Sequence, residues 1–134
     1  MYFYKNKYTM KGGASIINIS GIDILYIDFN GLSGEEFLKA IEQTKTFCLQ
    51  HKEKHYPSIT DLKDAGLNGD AQNALKELGK ALSANRTETG KRPPKVVIGL
   101  GPLKRAIASR FNPESIYLKS KQEAIDYILE NLQA

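Results

Sequence analysis

The side chains of this chain that could do chemistry fall in three places. They are two histidines and a cysteine near residue 50, three aspartates near strand ends, and a glycine-flanked basic segment near residue 100. His51 and His55 are spaced i, i+4, which on a helix sets two imidazoles on one face, where they can share a metal ion. Their setting argues otherwise. The order His51-Lys-Glu-Lys-His55 is not the His-Glu-x-x-His of a zinc protease, no third ligand is evident, and Pro57 ends the helix by about Tyr56. Two imidazoles there are explained by the partial negative charge of a helix C-terminus. Cys48 falls on the apolar stripe of the same helix, where a thiol behaves as a small hydrophobe and burial raises its pKa. No Gly-x-Ser-x-Gly elbow, nucleophile–base pair or cofactor motif accompanies it. The reading therefore assigns no catalytic residue, no metal and no cofactor, and favours a binding module over an enzyme. A carboxylate could still act as acid or base, but only if a pocket raised its pKa.

The segment Gly99-Leu-Gly101-Pro-Leu-Lys104-Arg105 follows a strand and opens a helix. Free amides at a helix N-terminus, glycines that allow close approach and two cations in the first turn suit a small anion, so Gly99, Gly101, Lys104 and Arg105 are candidate anion-binding residues. The segment lacks the Gly-x-x-x-x-Gly-Lys-[Ser/Thr] of a phosphate loop and the full dinucleotide fingerprint, and a Gly-Pro turn can also be no more than a tight connection. Asp28, Asp61 and Asp64 lie at or just after strand ends, where ligands gather in parallel α/β sheets. The plainer reading is that Asp61 and Asp64 bind backbone amides of their own turn.

These groups are carried by an alternation of strands and helices. Residues 2–8 are aromatic and basic and suit an edge strand or arm. Residues 14–20 and Ile24–Phe29 read as two strands joined by Ser20-Gly21-Ile22-Asp23, a connection too short for anything but an antiparallel pair. Ser33-Gly-Glu-Glu36 has the form of a capping box and opens a helix with Phe37, Ile41, Thr44 and Cys48 at helical spacing. A short strand at 58–62 follows, then a helix capped by Asn68 or Asp70 with Ala71, Leu75, Leu78 and Leu82 on its apolar face. Residues 85–94 form a polar loop, and the run at 95–100 suits a central parallel strand. Pro102 starts a helix carrying Leu103, Ile107 and Phe111, which Asn112-Pro113 ends. Residues 116–119 form a last strand, and the capping box Ser120-Lys-Gln-Glu123 opens a final helix. The class is α/β: a single domain over 1–134, with a mixed, mostly parallel sheet of four to five strands, an antiparallel N-terminal edge hairpin and four helices.

The chain has 134 residues and a net charge of +4. Residues 1–70 carry 8 Lys and 9 acids, while residues 71–134 carry 11 basic residues and 6 acids. Between Lys76 and Arg110 nine basic residues face only Glu77 and Glu88, which favours an acidic partner or an anionic ligand. No nucleic-acid-binding motif accompanies the charge, which argues against DNA or RNA. A single cysteine excludes a disulfide framework, no apolar run approaches a membrane span, and the N-terminus has no signal-like apolar core. The expected compartment is the cytoplasm, where a lone thiol stays reduced. The edge segment Tyr2–Tyr8 could pair with a second copy of the chain.

From Ile24 onward the chain resembles a STAS-type domain, the family named for sulfate transporters and anti-sigma-factor antagonists. The resemblance is carried by Ile24-Leu-Tyr-Ile-Asp-Phe-Asn-Gly-Leu32, Ile59-Thr-Asp-Leu-Lys-Asp-Ala-Gly66, Val96-Val-Ile-Gly-Leu-Gly101 and Glu123-Ala-Ile-Asp-Tyr-Ile-Leu129. It is most similar to short bacterial STAS-like proteins of unassigned role. The resemblance implies a protein-interaction module of bacterial signalling, with a protein partner met at Asp61, Asp64, Asn68 and Asp70 and at Lys76 and Lys80 of the following helix. Regulatory members of the family carry a phosphorylatable Ser or Thr after an Asp in this stretch. Asp64-Ala-Gly-Leu-Asn-Gly-Asp70 contains no hydroxyl residue, so the resemblance here implies the binding fold without that switch. A response-regulator receiver fits less well, because Asp28 has no adjacent Asp and Lys119 lies in or beside the last strand.

Overall fold

The computed structural model describes residues 4–9, 13–51, 54–83 and 93–133. The alternation is realised as β1 (Tyr4–Thr9), β2 (Ala14–Ile19), β3 (Ile22–Asp28), α1 (Gly34–Gln50), β4 (Ser58–Asp61), α2 (Gly69–Ser83), β5 (Lys95–Ile98), α3 (Pro102–Phe111), β6 (Ile116–Tyr117) and α4 (Lys121–Gln133). The strands form one sheet in the order β1-β2-β3-β4-β5-β6. β1–β2 and β2–β3 are antiparallel, and β3 through β6 are parallel. The sheet has six strands instead of four to five, because the aromatic arm forms β1 outside the expected hairpin. The hairpin turn is Ser20-Gly21, with φ of 53° and 83° and Ile19 paired to Ile22. Two consecutive left-handed residues give the tight turn whose twist matches the flanking strands.

Period-two alternation sorts the strands onto two cores. Leu25, Ile27, Phe29, Leu62 and Val97 face a cluster with Phe37, Ile41 and Cys48 of α1, Leu75 and Leu78 of α2, and Ala108 of α3. Ile24, Ile59, Val96 and Ile98 face the other way, onto Ala124, Ile125 and Ile128 of α4. Helices α1, α2 and α3 thus cover one face and α4 the other, so β4 and β5 are buried at nearly every position, β5 through Val96, Val97 and Ile98 and β4 through Ile59 with the small polar Ser58 and Thr60.

Three local expectations are corrected. α1 ends at Gln50, well before Tyr56, because His51 takes the C-cap and its Nδ1 lies 3.0 Å from the Phe47 carbonyl while its ring stacks on Phe47. Ser33 is the N-cap of α1, but its hydroxyl makes no capping bond. Gly34 has φ 59°, so the first amides are not presented to Ser33 in standard helical geometry. The expected core position Leu103 is 76% exposed. The capping box at Ser120 does form: the Glu123 amide donates to Ser120 Oγ at 3.2 Å. The polar loop at 85–94 lies outside the described residues through Arg92, and so do the side chains of the N-terminal arm and of Phe111.

Candidate functional site

The parallel strands β3, β4 and β5 end together, and their carboxyl ends carry the segments with the candidate residues. In-register pairing sets Asp28 beside Asp61 and Asp61 beside Ile98. The loops are then stitched to one another. The Phe29 amide donates to the Asp61 carbonyl (3.0 Å), Gly31 to Lys63 (2.9 Å), Leu62 to Ile98 (3.0 Å) and Gly66 to Leu32 (2.9 Å). Leu62 and Ala65 are buried under this ladder, so the turn after β4 is held from inside. What it leaves outside is polar: Lys63, Asp64, Asn68, Gly69 and Asp70 are exposed. Asp64 takes φ 58°, a left-handed conformation that Asp tolerates better than most residues.

The three aspartates do not share one role. Asp28 Oδ1 accepts the Asn30 amide at 3.0 Å and Asp61 Oδ1 the Lys63 amide at 2.9 Å, so of the pair named in the plainer reading Asp61 closes its own turn, and Asp28 does the same after β3. Asp61 also lies on the α4 face of the sheet, with its Oδ2 3.5 Å from the Tyr26 hydroxyl, while Lys121 of α4 sits 4.4 Å above the Tyr26 ring. Asp61 is therefore set apart from the other candidate partner-binding residues. Asn68 Oδ1 accepts the Ala71 amide at 2.8 Å and is the N-cap of α2. Asp70, Asn73, Lys76, Glu77 and Lys80 form the exposed face of α2, with Lys80 paired to Glu77 at 3.3 Å. Asp64, Asn68, Asp70, Lys76 and Lys80 thus make a continuous, mixed-charge strip from the turn along the helix.

The anion candidates are brought together at the start of α3, where Gly101 is the N-cap and Pro102 the first helical residue. Gly99 has φ 89°, and a Cβ there would meet the Lys63 nitrogen at 2.6 Å and Asp61 Oδ1 at 2.8 Å. Packing against the neighbouring turn thus accounts for this glycine, and the group it packs on includes a carboxylate, which repels an anion. Lys104 is exposed, whereas Arg105 turns back, with Nη2 3.5 Å from the Leu100 carbonyl and Nε buried without a hydrogen-bond partner. The basic stretch is also dispersed. Lys95 is only 10% exposed at its side chain and lies 3.8 Å from Glu114, and Arg86, Lys91 and Arg92 fall outside the described residues.

The remaining chemical groups are separated. His51 caps α1, while His55 lies beyond the helix with φ 56°, so the i, i+4 pair does not share a helix face. Among the described residues no three His, Cys, Asp or Glu side chains are grouped as metal ligands would be. Burial pushes the Cys48 thiol up to about 12, in the direction expected for a structural thiol. Among the described residues no helix is long and apolar enough to cross a membrane. Among the described residues three large apolar side chains are exposed, Leu49, Leu132 and, most of all, Leu103. The apolar type of Leu103 pointed inward, but it lies on the side of α3 away from Ala108, the residue that packs into the core. No protein-family model matches the chain, and no curated protein matches its sequence.

Proposed function

We propose that the chain is a STAS-like, non-catalytic protein-interaction module of bacterial signalling that lacks the phosphorylatable switch. The reading is supported by where the resembling segments fall: on β3, on β4 with its turn, on β5 and within α4. The observation that carries it is the turn after β4. Its interior is fixed by backbone hydrogen bonds to the neighbouring loop, and its outer edge, Lys63, Asp64, Asn68 and Asp70, is exposed and runs into the exposed face of α2. A rigid backbone presenting polar side chains binds a partner without a large ordering cost. Affinity capture with the intact chain should retain a protein partner that the variant Asp64→Lys/Asp70→Lys loses. Recovery of no specific protein, or equal recovery by both, overturns the reading.

A second reading, a small-anion or nucleotide binder, is favoured by the unpartnered Arg105 Nε beside the first turn of α3. The Asp61 carboxylate against Gly99 opposes it. Millimolar phosphate or nucleotide should raise the melting temperature if it binds only the folded chain, and no shift disposes of this reading.

A further inference from the structure

We infer that the exposed side of α3 is where a partner docks, and that the docking surface of that partner is acidic and carries an apolar pocket for Leu103; this inference rests on the interaction-module reading. α3 has the sequence Pro-Leu-Lys-Arg-Ala-Ile-Ala-Ser-Arg-Phe, with three cations and no acid. Of its described side chains only Ala108 is fully buried, while Pro102, Leu103, Lys104, Ala106, Ser109 and Arg110 are exposed. Leu103, Ala106 and Arg110 are spaced i, i+3, i+7, so they lie along one face. That face has an apolar anchor at its N-terminal end, a small residue in the middle that permits close approach, and a cation at its far end, with Lys104 beside the anchor. An apolar anchor flanked by exposed cations has the composition of an interface centre with a polar rim.

The same features choose among occupants. A membrane-surface helix inserts a row of large apolar side chains, but here Leu103 is the only large one among the described residues of α3 that stands exposed, and Ile107 is half-buried. Nucleic-acid backbone needs cations but no apolar anchor. A second copy of the chain meeting this face about a two-fold axis would bring the same basic helix against it. An acidic protein surface satisfies both the charge and the leucine. The start of α3 adjoins the turn after β4 through the contact of Gly99 with Asp61 and Lys63, so this surface extends the strip already described.

The test is site-specific photo-crosslinking in the cells that make the protein, with benzoylphenylalanine placed in turn at Leu103, at Asn73 on the outer face of α2, and at Glu130 on α4. The expected result is a protein adduct at position 103 that maps to an acidic segment, disappears in Lys104→Glu/Arg110→Glu, and is absent at position 130. With the purified partner, Leu103→Ala should weaken binding about 10- to 100-fold. The melting temperature should be unchanged, because the side chain is exposed. An adduct at position 73 alone, indifferent to the charge reversal, overturns the α3 surface and leaves the interaction module standing. A nuclease-sensitive adduct, a lipid adduct or an adduct with a second copy at position 103 also overturns it. No protein adduct at either 73 or 103 overturns both.

Discussion

Helices α2 and α3 are successive turns of the same strand–helix repeat. Each follows a buried parallel strand, each packs on the same face of the sheet, and each begins at the same rim. Yet α2 buries Ala71, Leu75, Leu78 and Ala81 and has its Ala71 amide held by Asn68, whereas α3 fully buries only Ala108 among its described side chains and starts from a glycine cap with no side-chain bond. Position along the sheet accounts for the contrast. α2 packs against α1 and α3, while α3 follows β5 and leads into β6, an edge strand of two residues that offers little surface to cover. The same unit becomes scaffold in the middle and a presented surface at the edge.

The most direct way to break this comparison is to truncate a leucine on each helix. Leu75→Ala removes a side chain that is 3% exposed and should cost about 2–5 kcal/mol of unfolding free energy. Leu103→Ala should stay within about 0.5 kcal/mol of the parent. Urea denaturation of the two variants measures both, and similar losses would mean that α3 is as much part of the core as α2.

The junction between the two turns is the next target. Gly99→Ala forces a Cβ onto a residue with φ 89° and against the Lys63 nitrogen at 2.6 Å, so backbone must move. The expected cost is about 2–4 kcal/mol, combining left-handed strain with overpacking. Adding Asp61→Ala should recover only part of it, since the Lys63 contact is backbone. Full recovery would assign the glycine to the carboxylate alone.

A smaller effect separates a working cap from one that only looks like a cap. Asn68→Ala should cost about 1 kcal/mol, because the Ala71 amide loses its acceptor at the start of α2. Ser33→Ala should leave thermal stability nearly unchanged, although Ser33 heads the stronger sequence motif, because its hydroxyl makes no capping bond. An equal loss in both would mean that the Ser33 hydroxyl caps α1 in solution.

Ser33 shows where sequence reasoning stops. The strands, the four helices and the Pro102 start were legible because burial imposes period two or 3.6 on the residues, and Asn68, Ser120 and Pro102 act within one turn of where they stand. Ser33 failed because the conformation of Gly34, which the Ser-x-x-Glu pattern does not encode, decides where the amides point. The two histidines failed for a similar reason: Pro57 bounds the helix but does not say that His51 ends it. β1 was legible as a strand, and the irregularity in its pairing was not. A register shift between Asn6 and Tyr8 interrupts its ladder with β2. Leu103 belongs to a third kind of failure. Its apolar type suggests a core position, but around α3 it lies roughly opposite Ala108, the buried residue of that helix, and which side of the helix faces the sheet is set by tertiary packing.

The finest test acts on the cap of α3 itself. Gly101 has φ −71° and ψ 172°, an extended conformation open to any residue, and a Cβ there would meet nothing within 4 Å. Gly101→Asn should therefore supply the missing acceptor for the first amides and gain a few tenths of a kcal/mol, about 1 °C in melting temperature. The substitution is neutral, so it leaves the charge of the α3 face unaltered while occupying the amides that an anion would need. If α3 presents Leu103 to a protein, the variant is slightly more stable and keeps its crosslink at position 103. If those amides serve phosphate, the variant gains the same stability but loses any phosphate-dependent upshift. One substitution thus distinguishes a helix start that is open because its ligand sits there from one that is open because the edge of the sheet leaves it uncovered.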